Sequence, residues 1–78
     1  MKKIVITGSN GLLGQTLVNL LMKEPENYSA IGLSRGENRM DSSYFSYYDI
    51  DITNYDKLKE LISFIQPSFI INLSLIHI

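Results

Sequence analysis

Ile4-Val5-Ile6 is a continuous β-branched run that stops at Thr7-Gly8-Ser9-Asn10-Gly11-Leu12-Leu13-Gly14, and no other stretch constrains the fold as strongly. A strand with one wet face alternates apolar and polar residues. An unbroken apolar run suits a strand buried on both faces, as in the middle of a parallel sheet. Gly8-Ser9-Asn10-Gly11 then breaks the strand with turn residues. From Leu12 the period changes: Leu13, Leu17, Leu20 and Leu21 fall at i, i+4, i+7 and i+8, one stripe of a helix. Asn10 or Ser9 is placed to cap its start. Pro25 and Asn27 end it, and Lys23 suits the negative end of the helix dipole.

The same alternation continues. Tyr28–Ser34 reads as a second strand, residues 35–43 as a polar loop holding Gly36, and Tyr44–Tyr48 as a short third strand. Thr53-Asn54-Tyr55-Asp56 resembles a capping box with Thr53 as the cap. Leu58, Leu61, Ile62 and Ile65 repeat at i, i+3, i+4 and i+7, a second amphipathic helix that Pro67 stops. Phe69-Ile70-Ile71-Asn72 opens a fourth strand, again a continuous apolar run. The order β-α-β-β-α-β implies an α/β fold with a parallel sheet and right-handed crossovers.

Composition and length narrow the function classes. Apolar residues make up 45% and charged residues 19%, and 7 Lys plus Arg against 8 Asp plus Glu leave a net charge of −1, as in an ordinary soluble globular sequence. Without a basic cluster, nucleic acid is not expected as a partner. There are no cysteines, which excludes a disulfide scaffold and a thiolate metal site and suits a reducing cytoplasm. The run Ile4–Ile6 is too short for a signal-peptide core. The apolar stretch Phe69–Ile78 is shorter than the ~20 residues needed to span a bilayer, so no membrane role is expected. A doubly wound sheet does not close in 78 residues, about half of a typical domain, so the chain is expected to be a piece of a larger protein.

The glycine loop carries the chemistry. It lies between a predicted buried strand and a predicted helix, the context that a dinucleotide-binding loop requires. Gly8 lets the chain turn off the strand, Gly11 lets a diphosphate approach the backbone, and Gly14 lets the helix pack on the first strand. The helix N-terminus adds free N–H groups and the positive end of its dipole. A Walker-type loop is excluded, since no Gly-Lys-Ser/Thr follows. In such folds an acidic residue at the end of the second strand selects NAD, and an Arg accommodates the 2′-phosphate of NADP. Here the strand ends Leu33-Ser34-Arg35, with no carboxylate before Glu37. Ser34 can bond a phosphate oxygen and Arg35 can pair with it by a planar fork, so NADP(H) is favoured over NAD(H). Arg39 is a second candidate; both arginines can instead be solvated loop charges, and Arg39 reads more readily so.

The spacing Gly-x-x-Gly-x-x-Gly after Thr7 resembles the extended branch of the short-chain dehydrogenase/reductase superfamily. Taken with Leu17–Leu21, with Ser34-Arg35-Gly36-Glu37-Asn38-Arg39, with Asp51-Ile52-Thr53 and with Pro67–Asn72, it is similar to the start of the dTDP-4-dehydrorhamnose reductase-like family. The resemblance covers residues 1–72. It implies a partial Rossmann fold of strand order 3-2-1-4. By resemblance, the cofactor-binding residues are Thr7, Gly8, Ser9, Asn10, Gly11, Leu12, Leu13, Gly14, Ser34, Arg35, Asp51, Ile52 and Asn72. Asp51 and Ile52 match the family's adenine contact, although Asp51 reads equally as a turn or helix-start residue. Asn72 matches an Asn near the ribose side, or satisfies a strand end. Asp49 reads as a plain surface charge. The implied parent is a cytoplasmic reductase acting on the 4-keto group of a dTDP-deoxysugar on the way to dTDP-L-rhamnose; a homodimeric parent is left open.

The catalytic Tyr and Lys that the superfamily uses are not expected in this stretch. Tyr55-Asp56-Lys57-Leu58-Lys59 has the spacing but lies on the helix before the fourth strand, so it is read as an exposed first turn. Leu73-Ser74-Leu75-Ile76-His77-Ile78 departs from the small residues that the family would place there, and looks like a non-native, adapter-derived tail. A genuine strand end is the alternative, and His77 has no second His to form a metal site. Two other parents stay open: a nucleotide-binding regulatory subunit that has lost the Tyr/Lys pair, and an epimerase or dehydratase of the same branch.

Overall fold

The computed structural model describes residues 1–38 and 45–74. Its elements run β1 (Lys2–Thr7), α1 (Leu12–Met22), β2 (Tyr28–Ser34), β3 (Phe45–Asp49), α2 (Tyr55–Ile65) and β4 (Phe69–Asn72). The strands form one parallel sheet in the order β3-β2-β1-β4, a partial Rossmann fold. The third strand begins at Phe45 and runs to Asp49; Tyr44, which was expected to open it, lies outside the described residues.

The unbroken apolar runs are explained by what covers them. Val5, Ile31 and Leu33 join Leu58 and Ile65 of α2 in one core. Ile4, Ile6 and Ala30 join Val18 of α1 and Phe45 in a second core on the opposite face. Successive residues of β1 and β2 thus face different helices, so neither strand alternates with polar residues.

Four sequence expectations about the elements need correction. Leu13 and Leu20 are 65% and 54% exposed; the buried face of α1 is Gly14 and Val18, with Leu17 and Leu21 partly buried. Neither Asn10 nor Ser9 caps α1, because the cap position is Gly11 and no side chain bonds there. The cap of α2 is Asn54, whose side chain accepts from the Lys57 N–H at 3.4 Å; the Thr53 hydroxyl is engaged instead by Asp51. Finally, β4 is not buried on both faces. Phe69 and Ile70 are 55% and 50% exposed, because β4 pairs only with β1 among the described residues.

Two polar contacts fix how β4 meets the centre of the sheet. Thr7 Oγ1 donates to Asn72 Oδ1 at 2.6 Å, and the Leu73 N–H donates to Thr7 O at 3.0 Å. Lys3 Nζ donates to Ile65 O at 3.1 Å, placing a cation at the C-terminus of α2, where the helix dipole favours it.

Candidate functional site

The bend between β1 and α1 requires glycine for two different reasons. Gly8 stands at φ +75°, a region that side chains other than glycine's rarely adopt. Its N–H donates to Leu33 O at 2.8 Å, tying the bend to β2. Gly14 is helical, but a Cβ there would run into Gly8 O and lie 2.8 Å from Ser9 Cα. The helix therefore rests directly on the backbone of the bend. Between them the Gly11 N–H donates to Gly8 O at 3.1 Å and the Gln15 N–H to Gly11 O at 2.9 Å. With no side-chain cap on α1, the first-turn N–H groups of the helix are left for a ligand.

The bend opens on a cleft of about 330 Å³ at the C-terminal ends of the strands, between β1's loop and the ends of β2 and β3. This is where open α/β sheets bind ligands. Asn10 and Gly11 form one wall; Ser34 and Arg35 form the second. Asp51 and Ile52, just beyond β3, form the third. Arg35 is exposed, and its guanidinium makes no hydrogen bond or ion pair among the described residues.

Asp51 forms a turn and also stands in the lining of the cleft. Its Oδ1 accepts from the Thr53 hydroxyl at 2.6 Å and from the Thr53 N–H at 3.0 Å, the turn-forming role. Its carboxylate also lines the cleft. Those two Thr53 bonds, side chain first, hold the carboxyl below its ordinary value, with a smaller attraction from Arg35. Asp49 is more than a surface charge, since Oδ1 accepts from the Gly36 N–H at 2.9 Å and so braces the turn after β2.

The other expected residues take up different places. Thr7 and Asn72 bond each other beside the bend, and Asn72 Oδ1 also accepts from the Ser74 N–H at 3.0 Å. Ser9 is buried beneath the bend against Gly32, and its Oγ has no hydrogen-bond partner among the described residues. Leu12 and Leu13 are exposed on the first turn of α1 and do not line the cleft. Ile52 touches the cleft but is largely committed to the core on the α2 face. Arg39 and His77 lie outside the described residues. Tyr55 and Lys59 are exposed on α2 and do not line the cleft.

Sequence reasoning missed Leu33, Ile50 and Ser74, which complete the lining. Ile50 could have been found, since it directly precedes Asp51 and follows the last strand residue. Ser74 had no such signal. Among the described residues no helix is long and apolar enough to cross a membrane.

The sequence profile of the NAD dependent epimerase/dehydratase family matches residues 4–77. Among curated proteins none matches. The fold is similar to that of the Bordetella bronchiseptica enzyme WbmH in complex with NAD+, at a TM-score of 0.82 and 22% identity, over 99% of this chain and 27% of that one. It is also similar to dTDP-glucose 4,6-dehydratase from Bacillus anthracis in complex with NAD, at a TM-score of 0.80 and 20% identity, over 95% and 27%. L-threonine dehydrogenase from Clostridium difficile aligns at a TM-score of 0.72 and 28% identity, over 97% and 25%. The chain thus spans about a quarter of the length of these proteins.

Proposed function

This chain belongs to the NAD dependent epimerase/dehydratase family, and from that premise we propose that its cleft holds the adenosine diphosphate half of a dinucleotide. The observation that carries this reading is one shared opening. The uncapped start of α1, the Ser34–Arg35 end of β2 and the Asp51 carboxylate all face the same cleft. The bend and helix N-terminus receive the diphosphate. Asp51 accepts from the adenine amino group, and Ile50, Ile52 and Leu33 supply the apolar floor beneath the ring. Thr7, Ser9 and Gly14 shape the bend, and Asn72 closes it on the β4 side.

NADP(H) is the preferred cofactor in this reading. Similar structures hold NAD or NAD+, which supports a dinucleotide here and leaves the 2′ substituent as the point of choice. No carboxylate follows β2 before Glu37, whereas Arg35, which has no hydrogen bond or ion pair from its guanidinium among the described residues, suits a 2′-phosphate. Titration of the full-length protein with NADPH and NADH tests it. NADPH is expected to bind about tenfold tighter, and Arg35→Ala to remove the difference, the effect of one charge-assisted contact. Equal affinities both with and without Arg35 would remove the case for a 2′-phosphate contact.

Residues 1–72 are then read as the N-terminal part of a cytoplasmic NAD(P)-binding enzyme and 73–78 as a foreign tail, in which case Ser74 stands where the natural protein has another lining residue; sequencing of the genomic locus checks this. The parent is read as a reductase of the 4-keto group of a dTDP-deoxysugar, on the segments that resemble that family. The family profile and the similarity to a dTDP-glucose 4,6-dehydratase favour a second reading, an epimerase or dehydratase of a nucleotide sugar. Incubation of the full-length protein with each substrate separates them. Net NADPH consumption with a dTDP-4-keto-6-deoxysugar supports the reductase; turnover of a dTDP- or UDP-hexose without net consumption supports the other.

A further inference from the structure

Asn10 belongs to the glycine loop by sequence, yet its side chain serves another segment. It is 8% exposed. Its Nδ2 donates to Arg35 O at 3.2 Å, to Glu37 O at 2.9 Å and to Tyr47 Oη at 3.1 Å. Two N–H bonds meet three acceptors, so one is shared, and only the nitrogen of the amide can approach two carbonyl oxygens. The Tyr47 hydroxyl in turn donates to Gly36 O at 2.7 Å, and the Gly36 N–H donates to Asp49. Gly36 itself stands at φ +88°. Arg35, Gly36 and Glu37 therefore each have a backbone group held by a side chain from the glycine loop or from β3.

The diphosphate bend is held by different bonds. Gly8 is tied to Leu33 and Gly11 to Gly8 through backbone groups alone. Deleting the Asn10 amide would leave those bonds in place and loosen the turn that carries Arg35, which Tyr47 and Asp49 would then hold only at Gly36. The two halves of the cleft are thus separable by mutation.

We propose that Asn10 and Tyr47 are positioning residues that set cofactor selectivity, by fixing the Arg35 turn against the phosphate loop so that its guanidinium meets a ribose 2′-phosphate. The inference rests on the dinucleotide reading above. An exposed Arg on a locked turn loses less freedom when it binds an anion than one on a loose turn. NADH offers that guanidinium no anion at the 2′ position, so its affinity does not depend on the lock.

The test uses the full-length protein. NADPH and NADH are titrated against wild type, Tyr47→Phe, Asn10→Ala, and each of these combined with Arg35→Ala. Both single variants are expected to weaken NADPH by roughly tenfold; Tyr47→Phe, whose residue does not line the cleft, is expected to change NADH by less than about twofold. Both effects are expected to vanish in the Arg35→Ala background, because residues acting through one group are not additive. A merely structural role would weaken both cofactors alike and persist without Arg35. If Asn10→Ala does not fold, Tyr47→Phe, which deletes one oxygen and keeps the ring, carries the test. A wild type whose preference for NADPH is removed by Arg35→Ala but unmoved by Tyr47→Phe and Asn10→Ala overturns this inference alone; a ratio that Arg35→Ala does not move overturns the 2′-phosphate reading and this inference with it. A wild type that binds neither overturns the dinucleotide reading, and this inference with it.

Discussion

Gly32 lies inside β2, where no turn calls for a glycine. A Cβ there would lie 2.5 Å from Ser9 Oγ and 2.8 Å from Ser9 Cβ, and would press on the Phe45 ring. Since Ser9 is 1% exposed and belongs to the bend, the sheet and the glycine bend touch where this methyl is missing. Gly32→Ala is expected to destabilise by about 1–3 kcal/mol, the usual cost of overpacking, read as a lower melting temperature of the full-length protein. Ser9→Gly in the same chain should recover part of it. A Gly32→Ala protein that melts like wild type would mean the contact is not tight. Asp51 gives a pH prediction at the same scale. Its depressed pKa stabilises the fold above the unfolded value, and that contribution is lost as pH falls through the lower native value. Thr53→Val removes the first cause and is expected to move the Asp51 titration upward, measured on its carboxyl carbon by NMR; an unmoved titration would assign the shift elsewhere.

At the scale of the element, α2 depends on Asn54. Its side chain bonds the Lys57 N–H, and Asp56 adds a negative charge in the first turn. Asn54→Ala is expected to cost about 1 kcal/mol, whereas Thr53→Ala should leave the helix start intact; denaturant titrations of the two variants check the order. Sequence favoured Thr53 because it opens a box pattern, but its hydroxyl is already bonded to Asp51. The strands were easier to read. The bounds of β1, β2 and β4 follow from apolar runs ended by Gly, Ser or Asn, a local signal. The face of α1 was not readable from leucines alone. Leu13 and Leu17 compete with Val18 for the sheet, and Gly14, which has no side chain to count, fixes the rotation by resting on the bend. The site divides in the same way. The bend and the end of β2 were legible because motif and chain order place them, while the Asn10 clamp was not. Its partners are backbone carbonyls 25 and 27 residues away, which leave no mark on residue type.

Across the whole molecule, the sheet of the described residues ends in two edge strands, β3 and β4. β1 lies between β2 and β4, and α1 and α2 cover opposite faces. The outer edge of β4 has no partner strand among the described residues. Lys2 Nζ lies 5.6 Å from the centre of the Phe69 ring, yet that ring remains 55% exposed. Beside it, Ile70 lines an apolar groove with Tyr55, Leu58 and Ile62, and Phe64 on α2 is 78% exposed. An unpaired apolar edge next to an apolar groove is a template for association. The 78-residue chain by itself is therefore expected to self-associate, with an apparent mass that rises with concentration in sedimentation. Ile70→Lys, which puts a charge on the exposed strand, is expected to shift the chain toward monomer, since charged edges resist strand pairing. Phe64→Glu on α2 should do less, because it leaves the hydrogen-bonding edge untouched. A monodisperse monomer at every concentration, with a cooperative melt, would show that this edge is not exposed in solution as it is here.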